Sequence, residues 1–383
     1  MHQNQFVSNN MLSQKAWTVC GPVFQELRTC VIKHEPHVKF HDFDTMVEEN
    51  FLIDPGKIII LSQIGDLLEF GKFKHIFKSN LEYYKQTGKK KNFFILLTAF
   101  EYDPVEVIEF EDILKIYFVP TFYEHYNNII KVNEYDLVDD LKFHFLSYNG
   151  RSSLLRTSLF CYFYRKNLLD KSIFSYLGYS GRDTLRNRFD TLISRDADYY
   201  LNRYNFDKMT DRYIPPSEIF DLIPYRIENE SISNGGIPPI SNIDTYNQTF
   251  CNLVSETYKG QHAPFFTEKI FKPIAAKQPF IVFGSRYSLK FLQDIGFKTF
   301  SPFIDESYDG LEQPHRFNAI LSEIDRIAGM SLTELTKLKA DIKSIVDYNY
   351  NHFYTTLPNM YLNDISIVSN EIDLLITQQL KYF

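Results

Sequence analysis

The sequence predicts an α/β protein that contains two doubly wound domains. Short apolar runs typical of buried parallel strands alternate with amphipathic helical patterns, first over about residues 50–135 and again from residue 142. An acidic, polar stretch at 136–140 separates the two series and is a plausible linker. With 383 residues, the chain is long enough for both domains to bury large cores. We therefore expect two Rossmann-like domains, at 1–140 and 141–350, and a C-terminal helix within 351–383 that returns to the first domain.

The first series follows an N-terminal stretch, up to about residue 55, that carries few clear signals. In chain order it predicts a strand at 57–62, a helix at 73–86, a strand at 92–99, a short helix at 105–114 and a strand at 115–119. Carboxylates follow two of these strands, at Asp66 and at Glu101. Because ligands of open α/β sheets bind beyond the carboxyl ends of the strands, both are candidate site residues.

The second series opens with a strand that leads through Asn149, Gly150 and Arg151 into a helix. In chain order it predicts a strand at 142–147, a helix from about 154, strands at 250–254, 280–283 and 297–300, and helices at 267–276, 287–295, 331–347 and 364–380. Ser331 and Glu334 form a capping-box pattern at the start of one of these helices. The polar, turn-rich region 180–245 is interpreted as an insertion in the second domain.

Bulk composition narrows the range of functions. Proteins whose main task is to bind duplex DNA usually have a basic surface, so the net charge of −7 argues against that function. A local basic patch is still compatible with this charge. No apolar stretch approaches the roughly 18 residues that span a bilayer, and the N-terminus lacks a signal-peptide pattern. The four cysteines show no metal-ligand spacing. These observations favour a cytoplasmic protein without a membrane span.

The segment at 266–284 resembles a known family. Phe266–Phe271 reads FTEKIF and is followed by a predicted helix, then by a strand that begins at Pro279 and ends at Gly284. This arrangement resembles the donor-binding segment of α1,3-fucosyltransferase-like glycosyltransferases, and the upstream Ser255-Glu256 resembles the end of their approach strand. The resemblance covers residues 248–310, and the first domain shows no match to the family.

The resemblance implies a GT-B fold, in which two Rossmann-like domains enclose a cleft. It also implies transfer of a sugar from a nucleotide-diphosphate sugar, of GDP or UDP type, to a hydroxyl of a glycan or another acceptor. GT-B enzymes generally need no metal, so no metal site and no further cofactor are expected. In that arrangement, 65–66, Glu101, 149–151 and 263–269 would line one cleft.

The candidate donor-binding residues carry groups that suit such a ligand. Lys269, in the first turn of a helix capped by Thr267, is placed for a phosphate, and Glu268 can accept two hydrogen bonds from a ribose diol. Arg151 and Arg156 could bind phosphate oxygens, and Glu256 could bind sugar hydroxyls. Alternatives stay open: Glu268 and Lys269 could form an exposed helix start, Arg156 an exposed helix residue, and Glu256 a loop cap.

The candidate catalytic bases are less specific. Inverting transfer needs a general base near the acceptor hydroxyl. The first-domain candidates are Asp66, Glu101 and Asp103, of which we favour Asp66 and Glu101; each could instead be a turn or cap residue. The acidic turn 305–309 could in principle bind a hard metal ion, but helix capping is the favoured interpretation.

Three functional hypotheses follow from these residues. The first is a metal-independent GT-B glycosyltransferase. The second is a glycosyltransferase that acts on modified bases of phage-type DNA, which the acidic pI of about 5.8 disfavours without excluding it. The third is an inactive GT-B-like module that binds a nucleotide or a glycan without turnover.

Overall fold

The structure, a computed structural model, is of the α/β class that the sequence predicts. It describes residues 33–34, 37–42, 56–63, 70–88, 92–98, 108–118, 130, 141–151, 154–179, 222, 225, 240, 243–256, 266–312 and 315–382. The chain divides into two compact units, Met1–Asn128 with Thr355–Phe383, and Ile129–Tyr354. The expected domain bounds, 1–140 and 141–350, and the return of the C-terminal helix to the first domain stay predictions.

The first unit contains a parallel sheet of four described strands in the order β1-β2-β3-β4. The elements are β1 (Val38–Asp42), β2 (Ile58–Gln63), helix α1 (Phe70–Thr87), β3 (Phe93–Thr98), a 3₁₀ turn (Ile108–Phe110) and β4 (Leu114–Phe118). Helix α1 places Phe77 against Phe94, with ring centroids 5.0 Å apart. Residues 58–61 of β2 and 93–97 of β3 are buried on both faces, as in a parallel sheet that is covered on both sides.

The second unit contains another parallel sheet, with the described strands in the order β6-β5-β7-β8. Its strands are β5 (Phe143–Arg151), β6 (Ser172–Tyr179), β7 (Thr249–Ser255) and β8 (Phe280–Phe283). Its helices are α2 (Leu154–Arg165), α3 (Ile243–Asn247), α4 (Glu268–Ala275), α5 (Ser288–Asp294), α6 (His315–Ala328) and α7 (Leu332–Asn351). A π-helical turn, His352–Thr356, then leads into α8 (Leu357–Gln379), most of the C-terminal part of the first unit.

Helices α2 and α4 pack on opposite faces of the second sheet. On β5, Phe145 contacts Phe163 of α2, with ring centroids 5.6 Å apart. The next residue, Leu146, belongs to a buried cluster that includes Ala276 at the end of α4. Since successive strand residues point to opposite faces, the two helices cover different sides of the sheet, as in a doubly wound domain.

Several predicted elements differ from the structure. No strand forms at 297–300, because Asn349 of α7 bonds both backbone groups of Lys298, at 2.8 Å each, in place of a neighbouring strand. The short helix expected at 105–114 is, in its described part, only the 3₁₀ turn, and β4 already begins at Leu114. Strands β1 and β6 and helices α3 and α6 have no counterpart in the predicted elements.

The end of the chain is more helical than predicted. The capping box of Ser331 and Glu334 is present in both directions. Helix α7 extends to Asn351, and the π-helical turn joins it to α8, which begins at Leu357 rather than near 364. Pro358 lies in the first turn of α8, directly after the π-helical turn. Among the described residues, no helix is long and apolar enough to cross a membrane.

Candidate functional site

The second sheet changes winding direction between β5 and β7. From β5 the chain crosses to β6 on one side, and it later returns to form β7 on the other side of β5. The carboxyl ends of β5 and β7 therefore flank a topological switch point, where open α/β sheets bind their ligands.

The sheet also opens at this point. The register between β5 and β7 ends at the pair Leu146 and Asn252. Strand β5 stays paired with β6 as far as Arg151, with a bulge after Asn149, and β7 stays paired with β8 as far as Ser255. We call the opening between 147–151 of β5 and 253–255 of β7 the switch-point gap. Bulges of this kind are common beside active sites.

Arg156 bridges the gap from helix α2. Along a parallel strand, alternate residues direct their backbone groups to opposite neighbours. The N–H groups of Asn252 and Glu256 donate to carbonyls on the β8 side, so the carbonyl of Ser255 points toward β5. Because β5 does not pair there, Nη2 of Arg156 supplies the donor instead, at 2.8 Å. The arginine is only 6% exposed, so its guanidinium is part of the interior and ties the end of β7 to α2.

Glu256 fastens the end of β7 to the start of α4. Its side chain is fully buried, and its Oε1 accepts a hydrogen bond from the backbone N–H of Thr267 at 3.1 Å. The Thr267 hydroxyl donates to Oε2 of the same carboxylate at 2.6 Å. Thr267 is also the N-cap of α4, as the sequence predicts. The carboxylate thus holds the residue from which the helix starts.

Lys269 lies beside this pair and remains partly accessible. Its Nζ donates to the Thr267 hydroxyl oxygen at 2.8 Å and lies 3.9 Å from Oε2 of Glu256 and 3.4 Å from Oε1 of Glu268. The lysine side chain is 25% exposed. An ammonium and a helix N-terminus therefore occur together beside the gap, a combination that favours anions.

The two carboxylates near Lys269 experience different environments. Burial raises the pKa of Glu256, although the Lys269 ammonium and the two donors of Thr267 act against that shift. Burial also acts to raise the pKa of Glu268, but the ammonium groups of Lys269 and Lys272 outweigh it and hold the pKa below its ordinary value. Glu268 is consequently an ionised hydrogen-bond acceptor at neutral pH. It lies at the N-terminus of α4, and its side chain is 19% exposed.

Two further positions shape the gap. Gly284 follows β8, and a Cβ there would lie 3.0 Å from Oγ of Ser288 and 3.8 Å from Cβ of Glu256, so a larger residue would crowd Ser288 and lie in contact with Glu256. Asn149, 1% exposed at the end of β5, donates from Nδ2 to Oγ of Ser147 at 2.9 Å. Its Oδ1 has no hydrogen-bond partner within the described chain, which leaves an acceptor beside the gap.

The structure brings together most of the predicted donor-binding residues: Arg156, Glu256, Thr267, Glu268 and Lys269. Arg151 is the last residue of β5, and its side chain lies outside the described part. Asp66, Glu101 and residues 263–265 also lie outside it, so the base and the rest of the predicted cleft stay predictions. Arg156 and Glu256 bond to protein groups here, and their predicted ligand roles stay untested.

The acidic turn at 305–309 caps a helix, as the sequence favours. Both carboxylate oxygens of Asp309 accept backbone N–H groups of α5, from Leu289 and Lys290, at 3.0 Å each. In the described part of the chain, no group of three or more His, Cys, Asp or Glu side chains could hold a metal ion.

Sequence reasoning missed the switch point because it missed β6. The apolar and small residues of 172–179 were a usable signal for a buried strand, but they adjoin the polar region at 180. The hydrogen bond from Arg156 to Ser255 was also not predicted. The two residues are 99 positions apart, so no local pattern indicates this contact.

Comparisons with known proteins add no family. No family model matches the sequence, and no curated protein matches it significantly. The likeness of 248–310 to the fucosyltransferase-like enzymes therefore stays a resemblance that rests on those residues.

Proposed function

We propose that this protein is a GT-B-type glycosyltransferase that moves a sugar from a nucleotide-diphosphate sugar to a hydroxyl acceptor without a metal ion. The observation that carries the proposal is the position of Thr267, Glu268 and Lys269 at a helix N-terminus beside the switch-point gap. The same residues carry the family resemblance, so fold position and sequence motif support one ligand class. GDP and UDP sugars are the expected donors.

The donor diphosphate would bind the N-terminus of α4 and the Lys269 ammonium. As the sugar leaves, negative charge grows on the diphosphate, and cations and helix dipoles stabilise it where no metal does so. Lys269 suits this task because its Nζ is held by Thr267 yet is still partly exposed. A charge-assisted hydrogen bond of this kind contributes roughly 1.5–3 kcal/mol.

The ribose would bind Glu268. Its carboxylate is ionised because Lys269 and Lys272 hold its pKa low, and it can accept both hydroxyls of a diol. Asn149 adds an acceptor, its Oδ1, for a donor group elsewhere on the ligand. Neither contact changes as the glycosidic bond breaks, so both serve binding more than catalysis.

The acceptor and the general base would come from the first domain, as the GT-B arrangement implies. In an inverting transfer, a base near the acceptor hydroxyl removes its proton as the oxygen attacks the anomeric carbon and the diphosphate departs. Asp66 and Glu101 are the proposed candidates.

Titration calorimetry with GDP, UDP and ADP tests the proposal. We expect one nucleotide to bind with micromolar-range affinity, and the corresponding sugar nucleotide to be hydrolysed slowly when no acceptor is present. Lys269→Ala should weaken the binding, whereas Lys290→Ala should not. Lys290 is a matched control, because it also lies in the first turn of a helix, α5, and is 60% exposed.

The outcomes separate the hypotheses. Binding together with hydrolysis supports the transferase, and binding without hydrolysis of any tested sugar nucleotide supports a binding module. If no nucleotide binds, or if both lysine variants behave alike, the donor site is not at α4.

A further inference from the structure

The carboxylate of Glu256 lies deeper in the protein than the ammonium group of Lys269. Glu256 is fully buried, whereas Lys269 and Glu268 are partly exposed. Both of its oxygens already accept hydrogen bonds from Thr267, at 3.1 and 2.6 Å. A ligand at the helix N-terminus would therefore meet Lys269 and Glu268 before it reached the buried carboxylate.

The hydrogen bonds around Thr267 run in one direction. Lys269 carries only donors on Nζ, so the Thr267 oxygen accepts at that contact. The single hydroxyl proton of Thr267 is then free to point to Oε2 of Glu256, which accepts it. The result is a chain of hydrogen bonds from the ammonium through the hydroxyl to the carboxyl group of Glu256.

This chain also fixes where the ammonium lies. Without it, the lysine stem could rotate toward solvent, since a lysine has several rotatable bonds and a large side-chain entropy to regain. The Thr267 oxygen at 2.8 Å, the Glu268 carboxylate at 3.4 Å and the Glu256 carboxylate at 3.9 Å together hold Nζ at the helix N-terminus before any ligand arrives. Arg156 supports the same arrangement from the other side, because it anchors the carbonyl of Ser255, the residue that precedes Glu256.

We propose that Glu256 is a positioning residue that acts through Thr267 to hold the Lys269 ammonium in place for an anionic diphosphate. The role of the diphosphate rests on the proposed function, but the hold on Lys269 does not. Glu256 itself contacts no part of the ligand. Its effect on the ligand therefore exists only while Lys269 is present.

Three variants separate charge, hydroxyl and shape. Glu256→Gln keeps a side chain of the same size and removes the negative charge. Thr267→Val removes the hydroxyl at constant shape, and Thr267→Ser keeps the hydroxyl. We expect the first two to loosen Lys269 and the third to behave like the wild-type protein. Circular dichroism and thermal unfolding would establish that each variant is folded, and the two Thr267 variants remain informative if Glu256→Gln is not.

A double-mutant cycle tests the coupling, with inorganic pyrophosphate and GDP as probes in titration calorimetry. Glu256→Gln should weaken binding roughly three- to tenfold in the wild-type background. In the Lys269→Ala background the same change should have almost no effect. Equal losses in both backgrounds would show that Glu256 merely supports the local fold, and would overturn the proposal. Thr267→Val should show the same dependence on Lys269.

A second measurement needs no ligand. The rate of Lys269 acylation by an N-hydroxysuccinimide ester, followed by mass spectrometry, reports how firmly the amine is held. We expect a rise of roughly two- to fivefold in Glu256→Gln and Thr267→Val, with Thr267→Ser and the reference residue Lys290 unchanged. Unchanged Lys269 rates would contradict the proposal. If pyrophosphate and GDP fail to bind, the proposed function is at fault, and the acylation rates still decide the role of Glu256.

Discussion

At the scale of single residues, the site depends on two neighbouring side chains with different tasks. Lys269 is held by Thr267 and faces the position where charge would grow, whereas Glu268 is an ionised acceptor for a group that does not change. Interactions that strengthen in the transition state raise kcat, and interactions that stay constant affect KM. Substitutions of the two residues should therefore change different kinetic constants.

The first prediction uses that difference. Lys269→Ala should lower kcat by about ten- to a hundredfold, the equivalent of one lost charge-assisted contact. Glu268→Gln should mainly raise KM for the donor and weaken binding of the free nucleotide. Donor kinetics on both purified variants, with circular dichroism as a folding control, measure this. Wild-type kcat and KM in two folded variants would mean that the pair is only a solvated helix start.

The second prediction concerns Gly284. A Cβ there would approach Oγ of Ser288, the first residue of α5, at 3.0 Å and Cγ1 of Val282 in β8 at 3.1 Å. Gly284→Ala should therefore destabilise the protein by about 1–3 kcal/mol through overpacking. Gly150→Ala is the matched control, because its Cβ would meet nothing within 4 Å. Urea unfolding compares the two, and equal losses would mean that crowding at Gly284 is not the cause.

At the scale of elements, several boundaries depend on side chains from other elements. The segment that leaves α5 illustrates this. Gly296 has φ of +94°, and the next residue, Phe297, donates its N–H back to Leu292 at 2.9 Å. His352, in the π-helical turn, donates from Nε2 to the carbonyl of Ile295 at 2.8 Å. The end of α5 is therefore shaped both by glycine and by a distant histidine.

The third prediction separates these two effects. A Cβ on Gly296 would lie 2.6 Å from Cε1 of His352, in addition to the left-handed backbone strain. Gly88, which ends α1, has φ of +69° but open space around it. We expect Gly88→Ala to cost about 1–2 kcal/mol from strain alone, and Gly296→Ala to cost about 1–3 kcal/mol more because of the clash. Thermal and urea unfolding measure both, and similar costs would refute the contribution of the histidine.

At the scale of the whole molecule, a half-buried carboxyl makes stability depend on pH. Burial is the main cause that raises the pKa of Glu306 to about 7, and the nearby Asp309 carboxylate adds to it. The N–H of Phe300 and the hydroxyl of Thr299 act in the opposite direction. The pKa of Glu306 is higher in the folded state than in the unfolded state. At pH values between these two pKa values, folding is therefore accompanied by the uptake of a proton at Glu306.

The fourth prediction follows from the sign of that linkage. The contribution of Glu306 is fully present below about pH 4.5 and is lost as the pH rises through about 7. Stability should therefore fall by about 1–3 kcal/mol between pH 5.5 and pH 8. Glu306→Gln should flatten this part of the profile, because the amide does not titrate. Scanning calorimetry across this range checks the prediction, and parallel slopes for the two proteins would exclude Glu306 as the cause.

Elements with a strong local signal were predictable, and those without one were not. Strand β8 has the predicted bounds, and the Thr267 cap and the Ser331 capping box form as expected, because each depends on residues close together in sequence. Strand β6 was not predicted, because its apolar run borders a polar region. The expected strand at 297–300 fails because Asn349 satisfies the backbone there, and a contact over 51 positions leaves no local trace.

The amino-acid sequence by itself determined the α/β class, the helix start at Thr267 and the chemical identity of Glu268 and Lys269. These follow from local periodicity, capping chemistry and side-chain type, which neighbouring residues decide. Only the tertiary structure decided that β5 and β7 part at the switch-point gap, that Arg156 bonds to β7, and that Glu256 is buried behind Lys269. Strand order and burial arise from packing between segments far apart in the chain, so no local pattern could have revealed them.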